Sequence, residues 1–118
     1  MKELEIIIDD NCTPGNSDLV IIVGDFNAKL SIWKPDDPDN TEGIEISEMT
    51  SSYGLIQIIS EATHILPNSS SCIDLIFTNQ PNIITNSGVL PSIHPNCHHQ
   101  FIYANINFKI FFHLRISV

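Results

Sequence analysis

Positive charge is scarce in this chain: five Lys and Arg stand against 14 Asp and Glu in 118 residues, a formal charge of −9. A surface of that sign repels a nucleic-acid backbone, which excludes binding through a broad basic face unless a metal ion or a local basic patch intervenes. Long apolar runs are also missing. No stretch reaches the ~18 apolar residues that a membrane-spanning helix needs, and the opening MKELEIIIDD lacks the basic start and apolar stretch of a signal peptide. The expectation is a soluble intracellular protein, of nucleus or cytoplasm, with no membrane partner. Cysteine is limited to Cys12, Cys72 and Cys97, with no CxxC pair, which argues against a disulfide framework and for a reduced compartment. The sequons at Asn11 and Asn68 matter only in a secreted protein. Internal repeats and low-complexity tracts are absent.

A composition of 42% hydrophobic and 16% charged residues describes one small globular domain. Residues 2–12 place Leu4, Ile7 and Ile8 at helical spacing between acids, and Thr13-Pro14-Gly15-Asn16 stops the element, so a short helix is expected there. Leu19 to Val23 is continuously apolar and β-branched, the pattern of a central strand covered on both faces. KPDDPDNTEG, residues 34–43, is a surface loop, and Ile44 to Tyr53 continues as a helix capped by Asn40 or Thr41 and ended by Gly54. Leu55 to Ile59 and Cys72 to Thr78 read as strands, with Pro67 to Ser71 a polar loop between them. From Phe101 to Ile110 the alternation puts Ile102, Ala104, Ile106, Phe108 and Ile110 on one face of a last strand. Helices and strands alternating early favour an α/β arrangement. The closing FFHLRISV, residues 111–118, has no assigned role.

Several strand ends carry polar side chains. VIIVGDFNAKL, residues 20–30, ends a buried strand on Asp25 and Asn27, which share a face if the strand continues. Such a pair can orient a water while the amide steadies an anionic oxygen; it can equally open a turn. In SSSCIDLIFT, Asp74 lies between Ile73 and Leu75, where an unpaired charge is costly. It needs either backbone amides or a histidine whose tautomer it would fix. His94, His98 and His99 lie in IHPNCHHQF. A zinc set drawn from His94, Cys97, one of the adjacent histidines and Cys72 meets no standard spacing. A calcium loop over Asp37, Asp39, Thr41 and Glu48 has Glu42 where Gly is required.

Taken in order, GDFNA, SSSCIDLIFTN and CHHQ resemble the motifs of the endonuclease/exonuclease/phosphatase superfamily, and ATHILPNSSSCIDLIFTNQPN is most similar to the endonuclease domain of non-LTR (LINE-type, jockey-like) retrotransposon polyproteins. The resemblance covers nearly all of residues 1–110. It implies a Mg²⁺-dependent phosphodiesterase acting on DNA, with Asp25 and Asn27 positioning the attacking water and the phosphate, and Asp74 orienting a catalytic His99. It also implies that Thr63 and Ser71 contact the phosphate or the substrate strand.

The fold implied is a deoxyribonuclease-like two-sheet α/β sandwich, of which residues 1–110 supply the C-terminal half. The Asn, metal-binding Glu and Tyr of the family's first half have no counterpart, so no metal ligand is assigned in this chain. Where the family has Ser-Asp-His, Cys97, His98 and His99 stand. The expectation is therefore a fragment inactive alone, with the inner face of its sheet uncovered and prone to self-association. A non-catalytic interaction module of the same fold, and a phosphatase-type member acting on inositol phosphates or lipids, are the alternatives.

Overall fold

The computed structural model describes residues 19–94 and 96–107, and the main chain of residues 3–8. Eight strands and one α-helix occur among them. Strands β1 (Glu3–Ile8), β2 (Leu19–Asp25), β3 (Ile56–Gln57) and β6 (Asp74–Thr78) form one antiparallel sheet in the order β1-β2-β6-β3. Strands β4 (His64–Leu66) and β5 (Ser69–Ser71) form a hairpin, as do β7 (Ile84–Leu90) and β8 (Phe101–Ile106). With one helix, α1 (Thr41–Ser52), the chain is a mixed α and β fold built on antiparallel sheets.

The first segment corrects a sequence-based expectation. Glu3 to Ile8 is a strand, not a helix, and pairs with β2 from Glu3 opposite Gly24 to Ile8 opposite Leu19. Glu3-Leu4-Glu5-Ile6 alternates with period two, and Ile6 to Ile8 are β-branched side chains that lose rotamer freedom in a helix. Given the open edge of β2, the strand state wins. Residues 9–12 and 108–118, with Phe108 and Ile110 of the expected last strand, lie outside the described residues.

The central strands separate two faces. Antiparallel register sets Ile21 opposite Thr78, Val23 opposite Ile76 and Asp25 opposite Asp74, so these side chains share one face, while Ile22, opposite Phe77, lies on the other. On the second face Phe26 and Trp33 meet Phe77 edge-on at 5.5 and 6.0 Å. The first face was expected to be uncovered, and it is not. Ile21 and Ile76 are only 3% and 2% exposed, and Ile102 and Ala104 of β8 pack against the core across an apolar cavity of about 220 Å³. Folding the β7–β8 hairpin onto the sheet buries this surface. On the hairpin the exposed apolar side chains are Leu90, Ile93, Phe101 and Ile106, at its ends and in the loop joining its strands; others, among them Ile32, Met49 and Tyr53, are scattered over the rest of the surface.

Segment 26–40, expected as an open loop from Lys34 on, is tied down at two points. Asp37, 3% exposed, pairs with Lys34 at 3.6 Å and accepts the Cys72 N–H at 2.8 Å, joining the loop to the approach of β6. Asn40 caps α1 by accepting the Gly43 N–H at 2.7 Å, and the same oxygen accepts the Lys29 N–H at 2.9 Å. Its amide nitrogen donates to the Asn27 carbonyl at 3.0 Å. A Cβ at Gly43 would overlap the Lys29 carbonyl, so glycine is what lets the helix start approach this close. The helix ends at Ser52 with Tyr53 as its C-cap and Gly54 at φ +70°, the glycine stop expected from sequence, and it begins at Thr41, a turn earlier than the Ile44 start expected.

Candidate active site

Register places the chemistry. Asp25 is the last residue of β2 and Asp74 the first of β6, and the two sit directly opposite each other. Like charges in that position repel. Into the gap comes His99, just ahead of β8: its Nδ1 lies 2.9 Å from Asp74 Oδ2 and its Nε2 lies 3.7 Å from Asp25 Oδ2. As a carboxylate Asp74 can only accept, so His99 Nδ1 carries the proton and Nε2 faces Asp25. Asp74 is mostly buried, whereas the Asp25 and His99 side chains are 45% and 40% exposed and open to solution.

His99 is held by main chain as well. It forms an isolated antiparallel bridge to His64, the Ile65 N–H donates to the His98 carbonyl at 2.8 Å, and the Gln100 N–H donates to the Thr63 carbonyl at 2.7 Å. The β4–β5 hairpin thereby clamps the segment that carries the imidazole.

Asn27 reaches the site by a different route from the one the strand pattern implies. The strand stops at Asp25, Phe26 turns inward with its N–H on the Ile73 carbonyl at 3.0 Å, and Asn27 sits in the left-handed region at φ 51°. Its own N–H donates to Asp25 Oδ1 at 3.1 Å. A turn, which asparagine tolerates better than most residues, keeps the two side chains together.

Asp25, Asn27, Ser71 and His99 line one cavity of about 490 Å³, together with Lys29, His64, Leu66, Ser69 and Ile73. Thr63 does not. It is fully buried, and its hydroxyl accepts the N–H groups of Ile73 at 3.0 Å and Asp74 at 2.9 Å. Its position is that of a support under Asp74 rather than a wall of the cavity. Sequence reasoning missed Lys29, the single Lys or Arg of the cavity wall, and His64, whose ring centroid is 4.7 Å from that of His99. Lys29 follows Asn27 by two residues and His64 follows Thr63, so proximity to the motifs was the available signal.

The chain belongs to the endonuclease-reverse transcriptase family. The model of that family matches residues 1–103, which span β1 through the first half of β8 and include Asp25, Asp74 and His99. Comparisons with curated proteins and with solved structures found no match.

The endonuclease-reverse transcriptase family implies a divalent metal, and the donor atoms here test the fit. One oxygen each of Asp25 and Asp74 and a nitrogen of His99 lie within 4.8 Å of one another. Mg²⁺ takes oxygen ligands in near-octahedral geometry and is held through carboxylates, waters and phosphates. Here one donor is nitrogen and Asp74 Oδ2 already accepts from His99, which leaves Asp25 as the free carboxylate. Among the described residues this set does not fit Mg²⁺. Two acids of the calcium pattern set aside from the sequence are engaged elsewhere: Asp37 with Lys34 and Cys72, and Asp39 with the Ser31 N–H at 2.7 Å, a bond that lowers the Asp39 pKa. Cys72, a member of the zinc set weighed and set aside from the sequence, is buried, and burial followed by the nearby Asp37 and Asp74 charges pushes its thiol up to about 12.

Proposed function

We propose that this chain carries the acid–base and phosphate-facing part of the active site of a DNA endonuclease of retroelement origin, on one half of a deoxyribonuclease-like sandwich. The observation that carries the reading is the contact of Asp74, His99 and Asp25 at the mouth of a polar cavity, in a member of this family. Asp25 orients the water that attacks phosphorus, and Asn27 faces a phosphate oxygen. His99, fixed in orientation by Asp74, stabilises the negative charge that develops on the phosphoryl oxygens through an Nε2–H, which the ring presents in its doubly protonated form. Lys29 and Ser71 lie on the same wall and face the substrate strand, and they supply the local polar patch that the overall charge of −9 otherwise denies to DNA.

Cleavage by this class of enzyme depends on Mg²⁺, for which the cluster of Asp25, Asp74 and His99 offers one carboxylate not already bonded to the imidazole, that of Asp25. The isolated chain is therefore inactive or nearly so, since catalytic groups that act as a unit lose far more than their share when one part is absent. Relaxation of supercoiled plasmid, with and without Mg²⁺ and with Asp25→Ala as control, is the test. Metal-dependent nicking that disappears in the variant would overturn the inactivity; nicking unaffected by Asp25→Ala would overturn the site.

A further inference from the structure

Residues 27–30 belong to no strand, yet they carry two of the polar side chains of the cavity. Asn27 and Lys29 line its wall, while Ala28 between them is fully buried. Main chain in such a place needs hydrogen-bond partners, and any drift of it moves two side chains that face the substrate strand.

The partners come from one residue. The Asn40 side chain donates from Nδ2 to the Asn27 carbonyl at 3.0 Å and accepts the Lys29 N–H on Oδ1 at 2.9 Å. The carbonyl of one residue and the N–H two residues on are the groups that a neighbouring parallel strand engages, so a single side-chain amide stands in for a strand across Ala28. The Asn40 N–H donates to the Lys29 carbonyl at 3.1 Å, and Asp39 accepts the Ser31 N–H at 2.7 Å, which extends the pairing. Helix α1 fixes the amide in turn, through the bond from the Gly43 N–H to the same Oδ1.

An amide is required for this arrangement. Oδ1 faces two N–H donors and Nδ2 faces a carbonyl; a carboxylate makes only the accepting bonds, and a serine oxygen lies too close to its own main chain to reach residues 27 and 29. Capping, by contrast, is served equally by Asn, Asp and Ser, so Asn40 does more than the helix needs. Asn27 at φ 51° occupies a sparsely populated conformation, of a kind that persists where its surroundings over-determine it. Its N–H is held by Asp25 Oδ1 at 3.1 Å and its carbonyl by Asn40.

We propose that Asn40 is a positioning residue of the site: standing outside the cavity wall, it keeps Asn27 left-handed and sets Lys29 beside it, so that both side chains meet the same phosphodiester strand. What the two side chains touch rests on the nuclease reading; how they are held rests on the hydrogen bonds above.

Asn40→Asp and Asn40→Ser in the whole chain separate positioning from capping. Circular dichroism should show α1 retained in both. The one-bond ¹³C–¹H coupling at the Asn27 Cα, which distinguishes positive from negative φ, is expected to leave its wild-type value in both variants. Exchange of the Lys29 N–H should accelerate in Asn40→Ser and not in Asn40→Asp, which keeps that acceptor. Binding of a short fluorescent DNA duplex in EDTA, followed by anisotropy, should weaken ~10-fold in Asn40→Asp, as for the loss of one hydrogen bond to a charged group. An Asn27 coupling unchanged in both variants, or DNA affinity equal to wild type in both, would overturn the role of Asn40. Loss of α1 from both would reduce Asn40 to a structural residue and overturn it as well. A wild-type chain with no measurable affinity for the duplex would overturn instead the nuclease reading, and the Asn27 coupling with the Lys29 exchange would then decide the positioning by themselves.

Discussion

Replacing Thr63 by Val isolates one oxygen atom on which the site rests. Val has nearly the shape of Thr, so the change leaves no cavity, but it removes the acceptor of two N–H groups, those of Ile73 and Asp74 at 3.0 and 2.9 Å. Thr63 is fully buried and Ile73 is 5% exposed, so water cannot replace the lost partner. A buried donor left unsatisfied costs ~1–3 kcal/mol. Two of them sharing one acceptor, with some relaxation of the more open Asp74, give a destabilisation of ~2–4 kcal/mol, a large share of the ~5–15 kcal/mol that holds a small domain together. Thr63→Ser keeps the oxygen and loses one methyl, worth ~1 kcal/mol. Urea unfolding of the three proteins measures the order directly: wild type most stable, Ser slightly less, Val clearly least. A Val variant as stable as wild type, or a Ser variant less stable than Val, would refute the assignment of Thr63 as the support of Asp74.

Asn40→Ala removes a helix cap and the two bonds that tie Lys29 and Asn27 to the helix start, and it is expected to cost ~1–2 kcal/mol in urea unfolding, the upper range for a cap. An effect below the resolution of the assay would mean that the cap and its ties carry no load. Gly43→Ala should destabilise by overlap with the Lys29 carbonyl, although alanine is the better helix former; a more stable variant would contradict that approach. Cys97, exposed, is expected to react with iodoacetamide in the native state, while Cys72 reacts only on unfolding, as peptide mapping would reveal. The sign of the accompanying pH effect follows from the same burial. The Cys72 thiol ionises near 9.0 when unfolded but only at about 12 when folded, so its contribution is fully present below pH 9 and is lost as pH rises toward 12. A Cys72→Ala variant that loses stability over that window as steeply as wild type would remove this linkage.

Much of the site was legible because its signals are local. Strand β2, strand β6 and the helix with a cap at Asn40 or Thr41 and its Gly54 stop followed from short-range pattern, and the cost of a buried charge called for a partner to Asp74, backbone amides or a histidine, while the choice of His99 came from the family resemblance. What stayed hidden depends on long-range pairing. The helical spacing of Leu4, Ile7 and Ile8 was outweighed by the open edge of β2, which no local pattern records. The β4–β5 hairpin, with Leu66 and Ser69 flanking a two-residue turn, looked like a polar loop because its strands are short and mostly exposed. Covering of the inner face by β8 also needed tertiary information, since alternation of Ile102 with Ala104 says that one side is buried but not against what. The pairing of Asp25 with Asn27 was anticipated for a reason that does not hold: the turn at Asn27 brings them together, not the alternation of a strand.

The central claim is that Asp74 sets His99 so that Nε2 faces Asp25. The ring-nitrogen ¹H–¹⁵N correlation spectrum of His99, recorded metal-free with the ring neutral, tests it most directly. The structure predicts a proton on Nδ1 and none on Nε2, with that preference lost in Asp74→Asn. A wild-type ring protonated on Nε2, or a spectrum unchanged by Asp74→Asn, would contradict it.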